Sequence, residues 1–236
     1  MATDDFDVDS LAAYLHMTPP QVLRLADRGK LPGRKVGGEW RFSQQEMHHW
    51  LETRIGLSDE EELVEVERVL QRRGAPGEDQ PILISELLRP EAIEVPLGAR
   101  TRGSVIREMT RLAAATGLLW DAEKMAEAVQ AREDLYPTTT EGGVALLHPR
   151  RPLPSLLAEP LLALGITQGG IAFGGGRSAL TDVFFLICSV SDPEHLRTLA
   201  RLSRLIGDAD WMQQIRRAPD PAAVHTLIAA WDAKLA

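Results

Sequence analysis

Along residues 8–53 the apolar positions fall into short helical clusters separated by turn chemistry. Leu11-Ala12-Ala13-Tyr14-Leu15 gives one buried face to a short helix that Ser10 is placed to cap. A tight turn is expected at His16-Met17. Thr18-Pro19-Pro20-Gln21 then combines an N-cap hydroxyl, a proline where no N–H is missed, and a glutamine at the capping-box position. The spacing predicts a second helix to about Arg28, with Gly29 as a left-handed C-terminal cap. Val22, Leu25 and Ala26 supply its buried side, while Gln21, Arg24 and Arg28 point elsewhere. Arg34-Lys35-Val36 and Trp40-Arg41-Phe42 flank Gly37-Gly38-Glu39, a hairpin signal because such turns need positive φ. Ser43-Gln44-Gln45-Glu46 is a further capping box, opening a helix whose Met47, Trp50 and Leu51 close the small core.

The texture changes after Arg54-Ile55-Gly56. Ser58-Asp59-Glu60-Glu61 starts a charged helix with a narrow stripe of Leu63, Val66, Val69 and Leu70. It reads as a solvated spacer or, more sharply, as a homodimer seam. Arg72 to Asp79 is a linker, since Gly and Pro break helix and nothing apolar pins it. Beyond it, apolar runs at Ile82–Ile84, Val144–Leu147 and Val183–Ile187 read as strands. They alternate with helical stretches near 102–115, 121–131 and 193–206, the order of an α/β layered domain. The expected division is 1–55, a small helix-turn-helix domain with a wing; 56–80, charged helix and linker; and 81–236, the α/β domain.

Composition narrows the functions. A net charge of −8 over 236 residues argues against coating nucleic acid by bulk electrostatics, so any DNA contact needs a local basic patch. Residues 24–41 hold one: Arg24, Arg28, Lys30, Arg34, Lys35 and Arg41 outnumber Asp27 and Glu39. Two short helices with a brief turn suit entry of the second into the major groove. Cys188, the single cysteine, sits in an apolar run and reads as a buried small hydrophobe, leaving no intrachain disulfide and no thiolate metal cluster. No apolar run reaches the roughly 18–20 residues of a spanning helix, and the N-terminus lacks a signal core, so a cytoplasmic protein is expected. His16, His48, His49 and His225 read as surface or boundary residues. Neither metal nor cofactor is implied, and the glycine triplet Gly174–Gly176 lacks the lysine of a phosphate loop.

In the second domain Arg132 closes a helix, His148 directly follows an apolar strand, and His195 opens a helix that Ser191 or Asp192 is placed to cap. Paired histidines with an arginine suit phosphoryl transfer. A neutral imidazole nitrogen attacks, and donors around the phosphoryl oxygens stabilise their charge.

Two resemblances follow from these residues. Leu11–Leu15, the helix opening at Thr18, Gly29-Lys30-Leu31-Pro32 and Val36 to Phe42 resemble the excisionase-family, MerR-type winged helix-turn-helix. That implies contact with double-stranded DNA through Gln21, Arg24, Arg28, Arg34, Lys35 and Arg41. The order Arg-Glu…Gly-Gly-Val-Ala-Leu-Leu-His, Thr-Asp-Val-Phe-Phe-Leu-Ile-Cys and His-Leu-Arg-Thr-Leu resembles the phosphotransferase-system IIA domain of the fructose, mannitol and nitrogen-regulatory type, over roughly 82–232. The resemblance implies a mixed sheet flanked by helices, His148 as acceptor of phosphate from HPr or a relative, and Arg132 and His195 as its helpers. Leu147 stands where that family usually has proline, and Ile171 to Ser178 is an irregular version of its loop. The combination implies a DNA-binding transcriptional regulator that accepts phosphate or senses a phosphocarrier. The alternatives are a phosphoryl-transfer component with secondary DNA binding, and an excisionase-like recombination accessory.

Overall fold

A computed structural model describes residues 5–15, 18–43, 46–47, 50, 82–140, 142–174 and 180–235. The chain divides into two compact units between Gly74 and Ala75. No described helix is long and apolar enough to cross a membrane.

The first unit runs β1 (Asp5–Phe6), α1 (Val8–Leu15), α2 (Pro19–Asp27), β2 (Arg34–Val36) and β3 (Glu39–Ser43). Ser10 is not the cap of α1. Asp7 Oδ1 accepts the Ser10 N–H at 2.7 Å and Ser10 Oγ accepts the Asp7 N–H at 2.9 Å, so Asp7 caps and Ser10 is its reciprocal partner. An ionised acceptor complements the positive helix start better than a hydroxyl, and the Ser10 hydrogen bonds hold the Asp7 carboxyl below the usual aspartate range. Thr18 caps α2, with Gln21 Oε1 accepting from the Thr18 N–H (2.8 Å) and hydroxyl (2.9 Å). Gly29 ends it at φ 67°, and Lys30 N–H returns to Leu25 O. The turn between β2 and β3 places Gly37 and Gly38 at φ 63° and 90°, as a two-residue hairpin requires. β1 adds to the other edge of β3, giving the order β1-β3-β2. Leu11, Val22, Ala26, Leu31, Phe42 and Met47 form the core beneath, with Trp50 packed against it and donating to Lys30 O at 2.9 Å. Leu51, the stripe from Leu63 to Leu70 and the linker 72–79 lie outside the described residues.

In the second unit, α3 (Ile84–Leu87) stands where a strand at Ile82–Ile84 is expected. An apolar triplet cannot separate a strand from the start of a buried helix. Here the Ser85 N–H finds a carboxylate, Asp232 Oδ2 at 2.8 Å, rather than a ladder partner. The chain continues through β4 (Ile93–Glu94), α4 (Arg102–Ala115), α5 (Ala122–Leu135), β5 (Val144–Leu147), β6 (Leu161–Ile171), β7 (Thr181–Cys188), α6 (Asp192–Gly207), α7 (Ala209–Arg217) and α8 (Pro221–Leu235). The sheet order is β4-β6-β7-β5, with β6 antiparallel to β7 and both outer pairs parallel. β6 is the longest strand and is not among the expected ones. Leu161 to Thr167 is buried on both faces and shows no alternation to read. β5 and β7 pair in register, Leu147 opposite Leu186. Residues leaving the C-terminal end of β5 therefore emerge beside those leaving β7, the edge where histidines from two distant segments can meet.

Candidate functional site

Every residue of β5 is buried, which makes the strand a rigid base for the residue that follows it. That residue is His148, 2% exposed. Its Nδ1 lies 2.8 Å from Leu146 O. A carbonyl only accepts, so Nδ1 carries the proton and the neutral ring keeps its lone pair on Nε2. His195 comes from the first turn of α6, which Ser191 caps by accepting the Glu194 N–H at 3.4 Å. Of the two expected caps, serine rather than Asp192 holds the position. The two imidazoles stand 5.0 Å apart between ring centroids, tilted by 56°. Ser189, the first residue beyond β7, places its hydroxyl 3.3 Å from His195 Nδ1.

Arg132 lies in the last turn of α5, buried, and donates from Nη1 to Tyr136 O at 2.7 Å. Its neighbour Glu133 is 1% exposed and accepts from the Thr138 N–H at 3.2 Å and from the Thr138 hydroxyl. Thr138 O in turn accepts the Leu146 N–H at 3.2 Å, and Leu146 O receives His148 Nδ1. A chain of hydrogen bonds thus connects a buried carboxylate to the imidazole through two backbone segments. Burial pushes the Glu133 carboxyl above the usual glutamate range, opposed mainly by the Thr138 bonds.

An acid with a higher pKa folded than unfolded binds more protons when folded, so its contribution to stability falls as pH rises from the ordinary glutamate value through the raised one. Glu133→Gln retains an acceptor for Thr138 without the titration. Its urea midpoint should gain on that of the wild type as pH rises through this window. A difference independent of pH would show that the buried charge has no such cost.

Glu133 and Ser189 carry no role in the sequence reading. Glu133 had a signal, since a carboxylate in the last turn of a helix opposes the macrodipole and needs a reason to be there. Ser189 had none, because a serine between strand and helix reads as ordinary turn chemistry. His225, by contrast, is a half-buried residue bonded to Ser85 O at 3.2 Å. Burial alone pushes the Cys188 thiol up to about 12, which leaves it inert.

In the first unit the cations separate into two groups. Arg34 pairs with Asp5 at 2.8 Å, Lys35 with Asp27 at 3.7 Å, and Arg41 with Asp7 and Glu39 at 3.8 and 3.6 Å. Lys35 also lies over the Trp40 ring. Arg24, Arg28 and Lys30 are exposed on α2 and just beyond it, with no ion pair among the described residues. The Gln21 side-chain oxygen is committed to the cap at Thr18, so its amide N–H groups are what it can offer a base.

A family model described as the phosphoenolpyruvate-dependent sugar phosphotransferase system, EIIA 2, matches residues 86–231, and a helix-turn-helix domain model matches 6–55. The chain belongs to the EIIA 2 family and carries an N-terminal helix-turn-helix domain. The nitrogen regulatory protein of Bradyrhizobium diazoefficiens is 29% identical over 150 residues, covering 62% of this chain and 94% of that protein. The fructose-specific EIIABC component of Bacillus subtilis is 25% identical over 147 residues; the match spans 61% of this chain but only 23% of that longer protein. Among solved structures, nitrogen regulatory protein IIA-Ntr from Neisseria meningitidis superposes with a TM-score of 0.55 at 19% identity, covering 62% of this chain and 99% of its own, which shows the shared fold. The matched EIIA 2 interval contains Arg132, Glu133, His148, Ser189 and His195, so the described cluster belongs to the IIA domain itself.

Proposed function

We propose that the protein is a cytoplasmic DNA-binding transcriptional regulator whose IIA domain accepts a phosphoryl group on His148 from an HPr-type phosphocarrier. The observation that carries the reading is the His148 imidazole. It is mounted on a rigid strand end, with Nδ1 committed to Leu146 O, the ring lone pair therefore on Nε2, and His195 at 5.0 Å. Nε2 attacks phosphorus in line, the bond from phosphorus to the donor's nitrogen breaks, and its electron pair leaves with the donor. The proton on Nδ1 stays, held by Leu146 O. The positive charge that appears on the ring is offset by Glu133, the buried carboxylate joined to it by hydrogen bonds through Thr138 and Leu146. Arg132 and His195 serve as helpers to the phosphoryl oxygens. Both imidazoles are only 2% exposed, so the acceptor must be uncovered before a carrier protein reaches it, and transfer is gated.

The domain division we adopt is 1–55 for DNA binding, 56–80 as spacer and 81–236 for phosphoryl acceptance. A phosphoryl group adds about −2 charge and strong acceptor oxygens, enough to recruit or repel a basic surface. The helix-turn-helix favours the regulator over a pure transfer component, and a recombination accessory has no evident use for a phosphoacceptor. Since one small module buries little DNA surface, a homodimer on paired half-sites is the expected stoichiometry.

Arg24 on α2 and Arg28 at its C-terminal cap, both exposed, are assigned to base edges, while Arg34, Lys35 and Arg41 exchange their weak surface pairs for phosphates. On a duplex selected from a random pool by the wild-type protein, Arg24→Ala and Arg28→Ala should each cost about 1–3 kcal/mol, the loss of a good base contact. Replacing Arg34, Lys35 or Arg41 should weaken binding on all sequences and lower the salt slope by about one unit. Unchanged affinity in a folded Arg24/Arg28 double variant contradicts the assignment.

A further inference from the structure

We propose that Ser189 is a positioning residue that sets the tautomer of His195, so that His195 presents Nε2–H as a hydrogen-bond donor to the phosphoryl group on His148. The inference rests on His148 being the acceptor.

It starts from one buried hydroxyl. Ser189 is 3% exposed, and among the described residues its Oγ has one recorded hydrogen-bond partner, His195 Nδ1 at 3.3 Å. A hydroxyl always carries a hydrogen that needs an acceptor, whereas its oxygen lone pairs tolerate being left over more cheaply. If His195 Nδ1 donated to Ser189, the serine hydrogen would be buried with no recorded acceptor. The arrangement that satisfies it is Ser189 O–H donating to Nδ1. The neutral imidazole then carries its proton on Nε2.

His148 has the opposite arrangement. Its Nδ1 faces a carbonyl and must donate, so the lone pair is on Nε2. The same fold edge therefore holds two histidines in complementary states, one with its lone pair on Nε2 and one with its proton there. At 5.0 Å between ring centroids, a phosphoryl group borne by one ring brings its oxygens within hydrogen-bond range of the other. During transfer the new bond forms between His148 Nε2 and phosphorus, and the donor's own nitrogen–phosphorus bond breaks with the electron pair. His195 neither gains nor loses a proton, and its Nε2–H stabilises the charge on the oxygens. With the other tautomer, His195 would aim a lone pair at an anion and hinder the step. The hydrogen-bond partner of the Ser189 hydroxyl is His195, so the role assigned to Ser189 acts through that ring.

The test uses the full chain labelled with 15N-histidine, in long-range 1H–15N spectra recorded above the titration of both imidazoles. His195 is expected as the Nε2–H tautomer and His148 as the Nδ1–H tautomer. In Ser189→Ala, His195 should move toward the other tautomer or a mixture while His148 stays unchanged. The maximal rate of phosphoryl uptake from a phosphorylated HPr-type carrier should fall about 10- to 100-fold, the loss of one hydrogen bond to a charged group, with little change in KM for the carrier. Ser189→Thr, which keeps the hydroxyl, should restore both readouts. A wild-type His195 found as Nδ1–H, or a Ser189→Ala protein with unchanged tautomer and rate, overturns the proposal. If the wild type takes no phosphate, the acceptor reading fails and this inference fails with it as catalysis, while the spectra still decide whether Ser189 sets the tautomer.

Discussion

Replacing His148 by alanine should abolish phosphorylation of the protein, to below detection with any phosphocarrier that labels the wild type. The substitution removes the nucleophilic Nε2 itself, and among the described residues no other imidazole on this edge combines a strand-end mount with a backbone-fixed Nδ1. His195→Ala and Arg132→Ala leave that nitrogen in place and remove donors from the developing charge. They should slow transfer by about 10²–10³ while phosphate still accumulates at His148. Arg132 also holds Tyr136 O from the end of α5, so its variant loosens the segment that carries Thr138. Initial rates from a phosphorylated HPr-type donor separate these roles. Full labelling of His148→Ala would remove it as acceptor, and wild-type rates in both helper variants would remove the helpers.

Asp232→Ala should destabilise the IIA domain by about 3–5 kcal/mol, a large part of a typical domain's total of roughly 5–15 kcal/mol. Asp232 and Arg201 are each 2% exposed, with Arg201 Nη2 3.3 Å from Asp232 Oδ1 and its guanidinium 5.0 Å from the centre of the Trp231 ring. The other carboxylate oxygen accepts the Ser85 N–H and hydroxyl, both at 2.8 Å. Truncation leaves a buried guanidinium without its carboxylate and a backbone donor at the start of α3 without its acceptor. The contact also ties the first helix of the second unit to the last, so the loss should appear as a lowered midpoint in urea with the slope preserved. A change below about 0.5 kcal/mol would show that the pair is compensated elsewhere.

Much of this fold is legible because local chemistry states it outright. Thr18-Pro19-Pro20-Gln21 and the Gly37-Gly38 turn name their own conformations, and the helix expected near 102–115 is Arg102–Ala115, opened by a capping pair of Thr101 and Ser104. The misplaced elements share a different physics. The cap of α1 shifted from Ser10 to Asp7 because both residues can cap and the ionised one suits the helix dipole. Ile82–Ile84 turned from strand to helix start because a carboxylate more than a hundred residues away accepts the Ser85 N–H. β6 escaped notice because burial on both faces erases the period that marks a strand.

The same distinction applies to the candidate site. His148 at a strand end, His195 at a helix start and Arg132 at a helix end each have a sequence-local placement, and the sheet register explains how the two histidines meet. What decides their chemistry is not local. The proposed tautomers depend on Leu146 O and the Ser189 hydroxyl, and the hydrogen-bond chain that ends at His148 begins at Glu133. Those assignments arise only once the chain is folded.

The central claim is that His148 Nε2 receives a phosphoryl group in a protein that also reads DNA. Incubating the full chain with phosphoenolpyruvate, its carrier kinase and HPr-type phosphocarriers, then locating any acid-labile phosphate by 31P–15N correlation and peptide mapping, tests it most directly. Phosphate on Nε2 of His148 is the predicted result. Phosphate on another residue, or none with any carrier tried, would contradict it and leave the IIA domain as a binding module.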